Sequence, residues 1–310
     1  MDYLQKKAKI IQSIRNYFIN TDSLEVFTDI IQYYPNLDSN IYPVELTIYN
    51  EKKEPIQAFL HTSPEIQMKK ILSKIKKDIF QITKVFRNYE GSYKHKIEFT
   101  MLEWYRVGYN LNDLMEDTKN LFIYTAININ KKPKIDYKGK IFDLTDWEKI
   151  TVEEAFYRYT NVYLDNINSM NKFLKEKENF KGSDDWEELF FRIYAFYVEP
   201  FLGVDKPTFI YDYPKQLGLL SKVENNKAKR FEAYIDGIEL VNGYYEATDY
   251  QYVYDILKND IIKKEKETGI KYKIDDEFLD AIKNLPECSG ASLGVDRFIM
   301  ILLNKDSIHF

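Results

Sequence analysis

Two carboxylates, Glu232 and Glu239, stand on either side of an Asp236-Gly237 pair within Arg230–Asp249, RFEAYIDGIELVNGYYEATD. An Asp-Gly pair between alternating segments is a strong signal for a two-residue hairpin turn. Such a turn pairs Ile235 with Ile238 and Tyr234 with Glu239. Glu232 and Glu239 then share one face as diagonal neighbours, roughly 5–8 Å apart. Like charges so placed repel unless a cation lies between them, and hard oxygen ligands at that spacing suit Mg²⁺ bound together with substrate phosphates. An exposed acidic face is the plain alternative. Asn242 faces the other way in a regular hairpin, so its use in the same site requires an irregularity, for which Gly243 is a candidate.

A second constellation lies in Ile79–Arg106, IFQITKVFRNYEGSYKHKIEFTMLEWYR. Two alternating segments flank a polar loop containing Gly91 and Ser92, the pattern of an antiparallel hairpin. Arg87, Glu90, Lys94, His95 and Lys96 cluster at its far end. Glu103 falls among apolar and aromatic neighbours, where an ionised carboxylate needs a partner. The third is Gly290–Arg297, GASLGVDR, a small-residue strand running into an apolar helix. Arg297 in that first turn opposes the helix dipole, so an anion such as phosphate would account for it, as would an ordinary surface position.

These residues need elements to carry them. The spacing predicts an amphipathic helix over 4–19 and a strand over Leu24–Thr28, then irregular chain to residue 58 with strand-like pieces at Val44–Tyr49 and Ala58–Leu60. Thr62-Ser63-Pro64-Glu65 reads as a capping box, Thr62 as N-cap and Glu65 at N3, opening a helix through Met68, Ile71 and Leu72. Further helices are expected near 111–122, over most of 151–197, near 253–266 and near 277–283. A strand is expected over Thr208–Tyr213 and a polar loop over 128–150.

Several classes of protein are disfavoured. Of 310 residues, 45% are hydrophobic and 30% charged, the balance of a soluble globular protein. A net charge of −5 disfavours broad nucleic-acid binding. The single cysteine, Cys288, rules out an internal disulfide framework and fits a reducing cytoplasm. No apolar run approaches a membrane span. There is no GxxxxGK[ST] loop, no GxGxxG and no nucleophile elbow. No repeat or linker divides the chain, so residues 1–310 are expected to form one domain.

Taken together, LHTSPEIQMKKIL, KVFRN, EFTMLEWYR, RFEAYIDGIELVNGYYEATD and CSGASLGVDRFIM resemble the class II aminoacyl-tRNA synthetase catalytic domain of the lysyl type. They occur in that family's order and spacing over nearly the whole chain. The chain starts almost directly at this domain, and with TMLEWYR and CSG-x-x-LGVDR it looks most like the branch of ligases that attach (R)-β-lysine to elongation factor P. The resemblance implies an α+β fold, an antiparallel six- to seven-stranded sheet flanked by helices, and a homodimer. It further implies ATP and Mg²⁺ as cofactors, lysine or (R)-β-lysine as substrate, and a lysine of elongation factor P, not tRNA, as acceptor.

By the same resemblance Arg87 would hold the ATP α-phosphate and the amino-acid carboxylate, Arg297 the γ-phosphate, and His95 the nucleotide. Asn88, Glu90, Phe99 and Glu239 would complete the ATP site, and Glu232 and Glu239 would bind Mg²⁺. Ser63, Glu65, Glu103, Tyr105, Asn242 and Glu246 would line the amino-acid pocket, with Ser292 in its floor. The chain departs from the pattern in three places. Asp29 stands where the first motif has proline. Tyr89, followed by Glu90, stands where the second motif has glutamate. Ser292 stands where lysyl-tRNA synthetases have glycine and the ligases alanine. A lysine-adenylating enzyme with tRNA or a small acceptor, and a catalytically silent amino-acid-binding paralogue, remain open alternatives.

Overall fold

The computed structural model describes residues 3–38 and 41–309. The chain opens with helix α1 (Tyr3–Asn20), whose buried face is Ile10, Ile14, Tyr17 and Phe18, as the spacing predicts. Strand β1 (Leu24–Glu25) is shorter than the expected Leu24–Thr28. A small sheet of β2 (Ile31–Gln32), β3 (Val44–Tyr49) and β4 (Pro55–Leu60) follows, with β4 central. Helix α2 (Glu65–Ile75) leads into the hairpin β5 (Ile79–Phe86) and β6 (Glu98–Val107), in register from Ile79 opposite Tyr105 to Phe86 opposite Glu98.

Next come helix α3 (Leu111–Asn130), the hairpin β7 (Lys134–Tyr137) and β8 (Lys140–Asp143), and β9 (Glu148–Thr151). Helices α4 (Val152–Thr160), α5 (Ile167–Lys177) and α6 (Trp186–Ile193) end in a π-helical turn over Tyr194–Val198. Strands β10 (Thr208–Pro214), β11 (Val223–Glu224), β12 (Lys227–Ile235) and β13 (Ile238–Tyr245) precede α7 (Tyr250–Thr268) and α8 (Asp276–Ile282). The chain closes with β14 (Cys288–Gly294) and α9 (Val295–Leu302).

The main sheet runs β1-β5-β6-β14-β13-β12-β10-β9, with β11 beside β12. From β5 to β10 every neighbouring pair is antiparallel. The expected antiparallel sheet of six to seven strands is thus present with six, extended at its edges by the parallel pairs β1/β5 and β9/β10. Among the described residues no helix is long and apolar enough to cross a membrane.

Strand alternation gives the sheet two unlike faces. Phe80, Leu102, Trp104, Leu293, Phe231 and Val241 point into an apolar core shared with α1, α3 and α9. Phe18 stacks on Phe80 at 4.9 Å, and Phe122 lies 4.4 Å from Phe298. The intervening residues, among them Glu103, Tyr105, Ser292, Asn242 and Glu232, therefore face the opposite side.

Three expectations are corrected. Thr62 does not cap α2: Pro64 is its N-cap, Glu65 is its first residue, and Ser63 Oγ accepts the Glu65 N–H at 3.1 Å. Proline at this place shifts the helix start and frees the Glu65 carboxylate for another partner. Residues 128–150 are not a loop. Helix α3 continues to Asn130, and Lys138 (φ 50°) and Gly139 (φ 77°) turn the β7–β8 hairpin. The Asp236-Gly237 turn forms as expected, with both residues left-handed at φ 50° and 69°. The irregularity beyond it sits at Leu240, not Gly243: Ala233 pairs with Val241 and Tyr234 with Glu239. This bulge places Glu239 and Asn242, three residues apart, on the same face as Glu232.

On the core side, Arg106 is 2% exposed and gathers the start of the sheet around one charge. Its guanidinium donates to Asp117 at 2.9 and 3.1 Å, to Ser23 Oγ at 2.6 Å and to Asp78 at 3.2 Å. Asp117 also accepts from Trp104 Nε1 at 3.0 Å and Tyr17 OH at 2.6 Å. Removing one partner of a buried pair strands the other charge. Asp117→Ala should therefore lower unfolding stability by about 3–5 kcal/mol in urea titration, against less than about 0.5 kcal/mol for the exposed control Asp136→Ala.

Candidate active site

Above the polar face of the sheet lie two adjoining cavities, the smaller dominated by carboxylates and the larger mixing arginines and lysines with carboxylates. The smaller, about 90 Å³, is lined by Ser63, Glu65, Glu103, Tyr105, Glu246 and the backbone around Gly290. Strand β6 presents Glu103 and Tyr105, α2 presents Glu65, and the residue just after β13 presents Glu246. Gly290 is required here: a Cβ would lie 2.3 Å from the Tyr105 ring and 2.8 Å from Glu246 Oε1. The expected amino-acid pocket residues are thus brought together.

Burial sets the electrostatics. Glu103 is 3% exposed, and its oxygens accept from Ser63 Oγ at 2.5 Å and Tyr105 OH at 2.7 Å. Desolvation, then the negative charge of Glu65, pushes its carboxyl up to about 7, against the pull of those hydroxyls and Lys69. Glu246, 1% exposed, is pushed up to about 8 by burial and by Glu65 and Glu103, a rise that Lys69 offsets only in part. Lys69 Nζ lies 2.6 Å from Glu65 Oε1 and 2.6 Å from Glu246 Oε2. Burial disfavours its charge, but the two carboxylates outweigh that and hold its ammonium more basic than usual.

The larger cavity, about 320 Å³, carries the cations. Arg87, Lys94, His95 and Lys96 enter from the β5–β6 hairpin, and Arg297 enters from the first turn of α9. Arg87 lies over the Phe99 ring at 5.3 Å and donates from Nε to Thr62 O at 3.3 Å. Arg297 donates to the Lys94 carbonyl at 3.1 Å and the Glu239 carbonyl at 2.9 Å, which fixes it at an otherwise unfavourable helix start. Its neighbour Asp296 belongs to the frame instead, accepting from Thr100 N at 2.7 Å and Lys7 at 2.8 Å. Burial and the charges of Arg297, Lys94 and Arg87 lower His95 to about 4, so its imidazole is neutral near pH 7.

Glu239 and Glu232 form the opposite wall. About a third of the Glu239 side chain is open, at 35%, and its carboxyl is pushed up to about 7 by desolvation and by Glu232, against Arg297 at 3.6 Å. Glu232 already has partners: Arg230 at 2.5 Å and Tyr234 OH at 2.7 Å. Among the described residues no group of three or more His, Cys, Asp or Glu side chains is arranged to hold a metal by itself. Two hard carboxylates on one face, only partly offset by Arg230 and Arg297, would still fit a divalent cation that shares its shell with phosphate oxygens. Glu239, with fewer partners, would be the freer ligand of the two.

Of the expected ATP-site residues, Arg87, Glu90, His95, Phe99, Glu239 and Arg297 line this cavity. Asn88 does not: its side chain accepts from Tyr89 N at 3.1 Å and its N–H goes to Tyr42 O at 2.7 Å. The Tyr89 departure is absorbed locally. Tyr89 is left-handed at φ 62° and 82% exposed, its ring against Tyr42 at 5.6 Å, while Glu90 comes within 3.9 Å of Arg87. Arg87, Asn242 and Ser292 line both cavities and mark their junction. Buried Asn242 Oδ1 has no partner there.

Lys69 and Arg230 were not singled out in the sequence. Lys69 follows Glu65 at i+4, and Arg230 precedes Glu232 by two, so both spacings carried a signal. When ionised, Asp38, Glu65, Glu103 and Glu246, set against Arg87 in the wall and Lys69 behind it, leave the pocket two net negative charges, suited to a ligand with two ammonium groups. A bound dication lowers the carboxyl pKa values and expels protons. Lysine affinity by calorimetry should therefore rise with pH as Glu103 and Glu246 ionise, near about 7 and about 8, and level off above.

The sequence profile described as "tRNA synthetases class II (D, K and N)" matches residues 1–310. Among curated proteins, the chain is 39% identical over 310 residues to "Elongation factor P--(R)-beta-lysine ligase homolog" of Aquifex aeolicus, covering 99% of this chain and 98% of that one. It is 34% identical over 316 residues to "Elongation factor P--(R)-beta-lysine ligase" of Buchnera aphidicola subsp. Schizaphis graminum, covering 98% and 93%. It is 33% identical over 317 residues to the protein of that name in Pectobacterium carotovorum, covering 98% and 92%. With an antiparallel sheet carrying an acidic pocket beside a cavity that holds Arg87 and Arg297, and a match along its whole length, the chain belongs to the class II tRNA synthetase family of the D, K and N type.

Proposed function

We propose that this protein activates lysine or (R)-β-lysine with ATP and transfers the aminoacyl group to a lysine side chain of elongation factor P. The observation that carries this reading is the junction: Arg87, Asn242 and Ser292 line both the acidic pocket and the larger cavity that holds Arg297. A diamino acid seated by its ammonium groups in the first would extend its carboxylate towards triphosphate held in the second. The relatives' printed names supply the acceptor and the β-isomer.

In the first step a carboxylate oxygen of the amino acid bonds to the α-phosphorus of ATP as the bond to the bridging oxygen breaks, releasing pyrophosphate. Arg87, beside both reactants, would stabilise charge on the α-phosphate, and Arg297 would take the γ-phosphate. Neutral His95 and the face of Phe99 would contact the nucleotide, with Glu90 beside Arg87. Glu239, with Glu232 behind it, would hold Mg²⁺, which when bound offsets phosphate charge. In the second step the neutral acceptor amine attacks the acyl carbon, AMP leaves and a proton is lost from nitrogen. Positioning supplies much of the acceleration, and no protein nucleophile is needed.

The same reading makes residues 1–310 one catalytic domain acting in the cytoplasm on a translation factor, without tRNA. A homodimer is part of it. Leu24, Phe27, Ile31 and Tyr33, around the position of Asp29, are exposed at 52%, 79%, 45% and 60%, an apolar strip that a second copy would cover.

The experiment is intact-mass analysis of elongation factor P after incubation with this protein, ATP, Mg²⁺ and lysine or (R)-β-lysine, with tRNA charging in parallel. One lysyl-sized increase on the factor is expected. Arg87→Ala should slow its appearance about a hundredfold or more, the scale of a lost oxyanion donor. Charging of tRNA with the factor unmodified would overturn the acceptor, and full activity in Arg87→Ala would overturn the mechanism.

A further inference from the structure

Lys69 is 1% exposed, and its ammonium is held by carboxylates from two separate elements. Glu65 lies one turn earlier on α2, and Glu246 lies beyond β13, each 2.6 Å from Nζ. The third carboxylate, Glu103, takes only hydroxyl donors, Ser63 and Tyr105. A buried lysine is expensive to desolvate, and a surface-facing helix such as α2 had polar positions to spare for it. Its place between two pocket carboxylates therefore calls for a role within the pocket.

We propose that Lys69 is a positioning residue that sets the charge of the amino-acid pocket. By pairing at once with Glu65 and Glu246 it reduces three pocket glutamates, two of them almost wholly buried, to two net negative charges, the number that matches the two ammonium groups of a diamino acid. It also draws Glu65 and Glu246 together against their mutual repulsion, so that both stand where an ammonium group can meet them. The proposal rests on the lysine-activating reading above.

The test is ATP–pyrophosphate exchange in alkaline buffer with lysine or (R)-β-lysine, whichever the unmodified chain activates, with KM for that amino acid (lysine below) and for ATP measured separately. Four proteins are compared: the unmodified chain, Lys69→Met, Glu246→Gln and the double variant. Each single change leaves the pocket one charge away from two, in opposite directions, and each should raise KM for lysine about a hundredfold while KM for ATP moves little. The double variant returns the pocket to two negative charges and should recover about tenfold of the Glu246→Gln loss, a non-additive rescue between contacting residues.

A KM for lysine in the double variant equal to or above that of Glu246→Gln would overturn the proposal, as would equal losses for lysine and ATP. If Lys69→Met alone does not fold, the double variant against Glu246→Gln still decides the matter. Absence of exchange with both lysine and (R)-β-lysine in the unmodified chain is a different failure: it overturns the diamino-acid-activating reading itself, and this inference with it.

Discussion

Desolvation of carboxylates is the constraint on which the rest of this structure depends. Glu103 and Glu246 are almost wholly removed from water, and burial raises both of their carboxyl groups. Such groups persist in a fold only where hydrogen bonds, a counter-charge or a ligand offset the cost. Ser63 and Tyr105 do this for Glu103, and Lys69 does it for Glu246. What is left uncompensated is a negative charge that a substrate can neutralise.

The antiparallel sheet lets one molecule contain both this strained polar surface and a stable core. Along β6, Leu102, Trp104 and Arg106 anchor the α1–α3 side, while Glu103 and Tyr105 alternate onto the pocket side. A slip of one residue in β6 would exchange the two sets, so the register with β5 and β14 holds the site as well as the fold. The bulge at Leu240 does the converse locally. It breaks alternation once, so that Glu239 joins the phosphate side and Asn242 reaches the junction.

Much of this was legible in the residues, because period-two alternation and turn chemistry are local. The β5–β6 hairpin, the Asp236-Gly237 turn and the facing of Glu232 and Glu239 all follow from them. The need for an irregularity before Asn242 was also legible. Its position was not, since the packing of Leu240 and Val241 together into the core decides it. The capping box failed because Thr62 and Glu65 have the right types and spacing, yet Pro64 moves the helix start. Residues 134–143 are polar enough to read as loop, but α3, α9 and the sheet give Ile135, Tyr137 and Phe142 a core to enter. The burial of Lys69 and Arg106 is not legible in the sequence for one reason: a charged residue on an amphipathic element reads as solvent-facing until tertiary partners surround it. Asn88 failed differently, because the left-handed turn at Tyr89 directs Glu90, and not Asn88, towards Arg87.

The central claim is that a doubly anionic pocket selects a diamino acid and delivers its carboxylate to ATP at Arg87. The most direct test is amino-acid-dependent ATP–pyrophosphate exchange with lysine or (R)-β-lysine against norleucine, which keeps lysine's chain and lacks its terminal ammonium. The account predicts exchange with at least one of the first two and a loss of about a thousandfold or more in kcat/KM with norleucine, whose binding would leave a buried carboxylate unpaired. Comparable exchange with norleucine, or none with either diamino acid, would contradict it.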